Sequence, residues 1–386
     1  MSEIARIDTA NTTRDGISPL IAYALRGLRS CWMPQAGRWS HIYYLDGRLE
    51  PNESLPAFDV YYTLNVLLGL SQIPNIPPSH GFDLPEIFNS NVSLVPKLQC
   101  PSYAYGMALW VAAELGLAIP AATRSAIASF IDDRGNWRDF NAQDLGLIIV
   151  GCVAQARLEG RSSSLAAVAK ELFAFLHSRY CHPSGLFFDA AAGLRKNFSS
   201  FATHTYLSLA SYIYGEWSGD PRAISLANAC ARKLIALQGP HGEWPWFFFT
   251  PGGHVVDFYE VYSVHQHGMA PAFLEFAEKH HVPGANEALV KGFNWIFGQN
   301  ELNVSMLWKH EGLICRSQIR KGELASKRKR VARAITNALM GRRGTLVGRT
   351  GLELRLECRS YELGWILWSL GRRTDMSQLH YHPEFS

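Results

Sequence analysis

Proton transfer and charge stabilisation call for His, Tyr, Asp, Glu and Arg placed where a substrate can reach them. Such groups crowd into residues 238–271, with Trp244, Trp246, three consecutive phenylalanines at 247–249, Tyr262, His265 and His267. Large planar faces hold sugar rings or hydrocarbons, and imidazole moves protons. The phenylalanine triplet is as consistent with core packing as with a pocket wall. Asp257 and Glu260 have the spacing of a helix capping box, which is preferred here over a catalytic role. His265 and His267 lie two residues apart, about 200° around a helix, so they cannot readily share a metal. Pro271 removes one helical hydrogen bond and is expected to kink the helix near His267, opening it toward a cavity.

Other candidates recur at the starts of apolar segments: Asp59 and Tyr62, Tyr103 and Tyr105, Asn141 and Asp144, His204, Tyr262 with His265 and Gln266, and Arg359, Tyr361 and Glu362. Leaving such groups buried and unpaired costs about 1–3 kcal/mol each, so six segments with polar starts imply a shared site. Glycoside hydrolysis needs two carboxyl groups at a set separation, for which Asp59, Asp144 and Glu362 are candidates. A lyase or epimerase instead needs a base and a cation facing the substrate carboxylate. His204, His265, Tyr262 and Arg359 suit those roles, and the His/Tyr surplus tilts the reading that way. The expected catalytic set is therefore Asp144, Glu362, His265, Tyr262 and His204. The expected substrate-binding set is Asp59, Tyr62, Tyr105, Trp244, Trp246, His267, Arg359 and Tyr361. A lone histidine such as His204 on an apolar face is more often a satisfied core residue.

The positioning elements follow from periodicity. Apolar segments at 56–70, 102–116, 141–156, 197–214, 257–279 and 361–370 alternate with amphipathic ones at 18–28, 121–130, 164–180, 221–237 and 286–297. A helix hydrophobic nearly all round must be covered on every side, whereas an amphipathic one faces water. Six buried helices ringed by six half-exposed ones, five of which the pattern locates, describe an all-α (α/α)6 toroid, with an open solenoid of helical pairs as the other arrangement. The stretch 74–85, rich in Pro and Gly, is expected to be a loop. Four connectors repeat Gly-x-aromatic, at Gly37/Trp39, Gly135/Trp137, Gly185/Phe187 and Gly242/Trp244, and read as packing staples.

With twelve helices in six pairs over residues 17–372, the chain resembles the six-hairpin glycosidase and terpenoid-cyclase group of α/α-toroid proteins. Residues 238–244 look like the Q-x-x-x-G-x-W repeat of triterpene cyclases. Residues 294–300 look like the W-x-x-G-x-N segment of toroidal glycosidases. The cyclase acid motif D-x-D-D is absent, as are an Asp-rich metal motif and the zinc ligands of prenyltransferase subunits. The resemblance therefore implies a carbohydrate-active enzyme, a hydrolase or a lyase or epimerase, with a link to polysaccharide biosynthesis. A terpenoid or prenyl cyclase and a non-catalytic binding toroid are the alternatives.

Composition sets bounds on these readings. The chain has 386 residues, 47% hydrophobic and 18% charged, which suits one large core. A single toroidal domain is expected. Seven scattered cysteines with no C-x-x-C pair argue against a disulfide framework or zinc site, so no metal or cofactor is expected. The start lacks a signal-peptide pattern, and a cytoplasmic location is expected. The net charge of +4 is uneven: residues 316–356 carry twelve Lys or Arg against two Glu, or +10, leaving −6 elsewhere. This segment is expected to be a solvated, partly disordered insertion, with an anionic glycan, a phosphate or a membrane face as its alternative partners. The expected partner of the whole is a glycan, anionic in the lyase reading, and not a nucleic acid.

Overall fold

The computed structural model describes residues 16–74, 81–323 and 327–385. Helices α1 (Pro19–Ser30), α2 (Pro56–Leu70), α3 (Leu84–Val92), α4 (Tyr103–Leu115), α5 (Ala121–Asp132) and α6 (Ala142–Glu159) form the first half. The second half holds α7 (Ser164–Arg179), α8 (Phe201–Ser218), α9 (Pro221–Leu237), α10 (Ala270–Lys279), α11 (Ala285–Asn294), α12 (Lys327–Leu339) and α13 (Ser360–Leu370). The inner helices α2, α4, α6, α8, α10 and α13 contact one another in that order, and α13 returns to α2. The ring is closed, and the fold is the (α/α)6 toroid.

Sequence explains which helix goes where. In α6 every residue from Leu145 to Ala156 is buried, whereas in α9 only Ala223, Ala227, Cys230, Ala231 and Leu234 are. The first pattern needs neighbours all round and the second needs one face covered. Inner helices approach closely through glycine. A Cβ on Gly151 would lie 2.2 Å from the Gly106 carbonyl oxygen, and one on Gly69 would lie 2.3 Å from that of Gly364. Outer helices start on ordinary caps: Ser18 and Asp220 each accept from the first turn, followed directly by Pro19 and Pro221.

Three expectations change. The sixth outer helix, α3, begins inside the stretch expected to be a loop. Asp83 caps it and Pro85 sits in its first turn, where the missing N–H costs nothing; residues 75–80 of that stretch lie outside the described residues. The fifth inner helix does not start at Asp257. Residues His254–Asp257 and Val261–Tyr262 are strands, so Asp257 and Glu260 form no capping box. The capping box is instead at α6, where Asn141 and Asp144 cap each other's backbone.

The basic segment is also ordered over its described residues. Strand Ser317–Arg320 pairs antiparallel with Leu352–Arg355 on one side and Val261–Tyr262 on the other. Helix α12 lies over strand His254–Asp257, and Asn337 Nδ2 donates to the Val256 carbonyl at 2.9 Å. Ion pairs hold the segment down. Arg320 grips Asp257 through two contacts of 2.6 and 3.0 Å, and Arg330 meets Glu260 at 2.7 Å. Part of the charge that suggested solvation, on Arg316, Arg320, Arg330, Arg333 and Arg355, is matched by buried carboxylates at the toroid's rim.

Candidate active site at the toroid mouth

All six inner helices point their N-terminal turns at one end of the ring, where a half-open cavity of about 150 Å³ lies. Tyr61 and Tyr62 come from α2, Tyr103 from α4, Gln143 from α6, Ala202 and Tyr206 from α8, and Tyr361 from α13. His265 and Met269 come from a π-helical turn, His265–Met269, that leads into α10. Tyr262 ends one strand that roofs the mouth, and Arg316 immediately precedes the strand Ser317–Arg320 that pairs with it. The volume is on the scale of a single six-membered ring.

Pro271 explains the π turn. It has no N–H for the ordinary helical bond, and the Ala270 N–H reaches back five residues to the His265 carbonyl. The wider turn sets His265 against the cavity, in ring contact with Tyr262 (5.1 Å) and Phe201 (4.8 Å). His265 Nδ1 has no hydrogen-bond partner among the described residues. Burial above all, then the charge of Arg316 and the neighbouring His267, pushes its pKa down to about 3, so it stands neutral.

Arg316 is the cation of the site. Its Nη1 donates to Glu362 at 2.8 Å, its Nε lies 3.3 Å from Glu357, and its guanidinium sits 5.0 Å from the Tyr262 ring centre. Glu362 is fully buried, and burial raises its pKa to about 8 against the opposing pull of Arg316 and Arg359. At neutral pH Glu362 is mostly protonated, leaving Arg316 with surplus positive charge. Across the cavity Gln143 Nε2 donates to the Tyr61 hydroxyl (3.1 Å) and the Tyr206 hydroxyl (3.3 Å), which fixes those two rings. Tyr62 packs on Tyr361 at 4.6 Å.

Of the residues expected from sequence, Tyr62, Tyr262, His265 and Tyr361 line this cavity, and Glu362 stands directly behind Arg316. The others lie elsewhere. His204 is fully buried on the outward side of α8, where Nδ1 accepts from the Phe187 N–H and Nε2 pairs with Ser199. Asp59 accepts from the His41 and Leu55 N–H groups and from Ser54. Asp144 serves the α6 cap, with burial raising its pKa to about 6. Tyr105 stacks on Phe130 at 4.4 Å between helices. Trp244 is a buried staple against Phe201, and Trp246 stacks on Phe247 under Arg330. His267 is fully buried, and Arg359 is held by Glu357. Two expected carboxylates, Asp59 and Asp144, are thus engaged as caps, and no carboxylate lines the cavity among the described residues.

Sequence reading missed Tyr61, Gln143, Tyr206, Met269 and Arg316, and it named Tyr103 among the segment starts without placing it in the binding set. Tyr103 and Tyr206 were recoverable from register. Each lies two residues from a residue chosen instead, Tyr105 or His204, and two residues turn a helix by about 200°. Arg316 carried no local signal, because its place depends on a strand pairing distant in sequence.

No protein-family model matches the sequence, and no curated protein matches it. Solved structures do match in fold. Cellobiose 2-epimerase from Bacillus thermoamylovorans aligns with a TM-score of 0.63 at 9% identity, over 92% of this chain and 97% of that one. A possible GH105 member from Salmonella enterica serovar Paratyphi A aligns at 0.58 and 12% identity, over 97% and 98%. The GH76A α-1,6-mannanase of Salegentibacter aligns at 0.56 and 11% identity, over 92% and 98%. These likenesses establish the six-hairpin toroid as the fold; among the described residues no helix is long and apolar enough to cross a membrane.

Proposed function

We propose that the chain is a carbohydrate-active enzyme that acts on an acidic sugar by proton transfer, as a lyase or an epimerase. The carrying observation is the composition of the mouth cavity: six tyrosines, a neutral histidine, a glutamine and an arginine, with no carboxylate lining it among the described residues. Paired-carboxylate hydrolysis needs two acids flanking one bond, and the lining offers none. A cyclase chamber would be deep and apolar with a single acid, unlike this ring of hydroxyls. Solved toroids whose names identify them as glycan hydrolases or as a sugar epimerase add support at the level of fold.

Arg316 would meet the sugar carboxylate, and aromatic faces and hydroxyls would hold the ring. His265 would take the proton from the carbon next to that carboxylate. Arg316 would then stabilise the negative charge that develops on the carboxylate oxygens. In elimination the neighbouring C–O bond breaks as a C=C bond forms, and the leaving oxygen takes a proton from Tyr262. In epimerisation the carbon regains a proton from the opposite face. Substrate charge also tunes the base. Arg316 is one of the groups that depress His265, so a carboxylate against Arg316 makes the imidazole more basic as it is needed.

Thermal shift with uronic acids and their neutral parent sugars tests the substrate class. The expected result is a rise in melting temperature with uronates alone, lost in Arg316→Gln. Stabilisation by neutral sugars alone would refute the anionic reading.

A further inference from the structure

Helix α12 is amphipathic in an inverted sense. Its polar face is turned inward: Arg330 meets Glu260, Arg333 pairs with Asp257 and Glu323, and Asn337 bonds the Val256 carbonyl. Its large apolar residues face out. Val331, Ile335 and Leu339 recur every four residues, and they and Met340 are 42%, 41%, 83% and 59% exposed. Other large exposed apolar side chains of the described residues, such as Leu49, Leu158 and Leu194, are scattered through the sequence. Single exposed residues are ordinary, but a stripe along one helix calls for a partner.

Charge selects the partner. Exposed Arg328 and Lys329 on the helix, and exposed Arg342 and Arg343 just after it, border the stripe, and none of the four takes an ion pair among the described residues. No Asp or Glu occurs from 324 to 352. Glu323, just before that span, is buried against Arg333. Two copies of this chain meeting at the stripe would press like charges together. A surface with apolar depth and negative headgroups satisfies both halves of the pattern.

We propose that the outer face of α12 docks on an anionic lipid surface. Val331, Ile335, Leu339 and Met340 enter the headgroup boundary, and the four cations contact the headgroups. Because the inner face of the same helix carries Arg330 and Arg333 to the rim, docking would place the toroid mouth beside the lipid surface. The proposal does not depend on the sugar chemistry of the mouth.

Co-sedimentation of the full chain with phosphatidylcholine vesicles, with and without phosphatidylglycerol, tests it. Binding is expected only to the anionic vesicles and should weaken as salt rises. Arg342→Glu with Arg343→Glu should lower the affinity by about tenfold or more. Ile335→Glu with Leu339→Glu should abolish binding while the melting temperature holds, since both side chains face outward. No sedimentation with anionic vesicles would overturn the proposal. So would binding that survives the Ile335→Glu, Leu339→Glu change, or a lipid-free dimer that this change dissolves. Binding to heparin or RNA without binding to vesicles would assign the basic rim to another partner and would equally overturn it.

Discussion

On the proposed reading, Glu362 and Arg316 set the charge that an incoming acidic sugar meets. Burial holds the Glu362 carboxyl protonated up to about pH 8, so below that pH the Arg316 charge is available to substrate. As pH rises through that value, Glu362 ionises, neutralises Arg316 and competes with the substrate carboxylate. KM is therefore expected to rise above pH 8 in the wild type, while Glu362→Gln should show a flat KM across the same range. The stability sign is consistent with this. A carboxyl whose folded pKa lies above its unfolded value favours folding when protonated, and that contribution fades between about pH 4.5 and 8. Glu362→Gln should thus gain melting temperature relative to wild type as pH rises through that window. A KM profile unchanged by the substitution would remove Glu362 from the account. At this scale the sequence was partly legible: residue types and helix starts pointed to Tyr62, Tyr262, His265, Tyr361 and Glu362. Asp59 and Asp144 misled because a carboxylate near a helix start can instead accept from the backbone N–H at the cap position, as both do.

At the scale of elements, the basic segment is a roof anchored by buried ion pairs. Burial alone would raise the Glu260 pKa, but Arg316, Arg355 and Arg330, with a hydrogen bond from Ser317, hold it below the usual carboxylate range. Its contribution is present above that range and lost on acidification through it. Glu260→Gln leaves Arg330, itself 3% exposed, without its counter-charge. Breaking a buried pair from one side costs about 3–5 kcal/mol, which chemical denaturation would measure. Adding Arg330→Met to that variant should recover most of the loss, and failure to recover would mean the pair is not the anchor. This roof was not legible in sequence. Twelve basic residues in a short span look solvated when the acids that hold five of them, Asp257, Glu260, Glu357 and Glu362, lie on other elements. The π turn was legible in part, since Pro271 marked where the helical bonding must change.

For the whole molecule, closure of six hairpins brings six helix starts to one mouth, and that is what turns scattered tyrosines into a site. The alternation of all-round apolar and one-sided helices was enough to read the ring. The weak repeat hid only α3, whose nine residues follow a Pro- and Gly-rich stretch. The chemistry of the mouth is the central claim, and following the hydrogen next to the carboxylate tests it most directly. Uronate-containing oligosaccharides would be incubated with the protein in deuterated water and observed by NMR. The account predicts that this C–H bond breaks, giving either deuterium at that carbon or loss of its proton signal as a double bond forms. His265→Asn should slow the reaction by about 10²–10⁴-fold with the fold intact. Cleavage of the glycosidic bond by water with that hydrogen retained, at the same rate in His265→Asn, would contradict it.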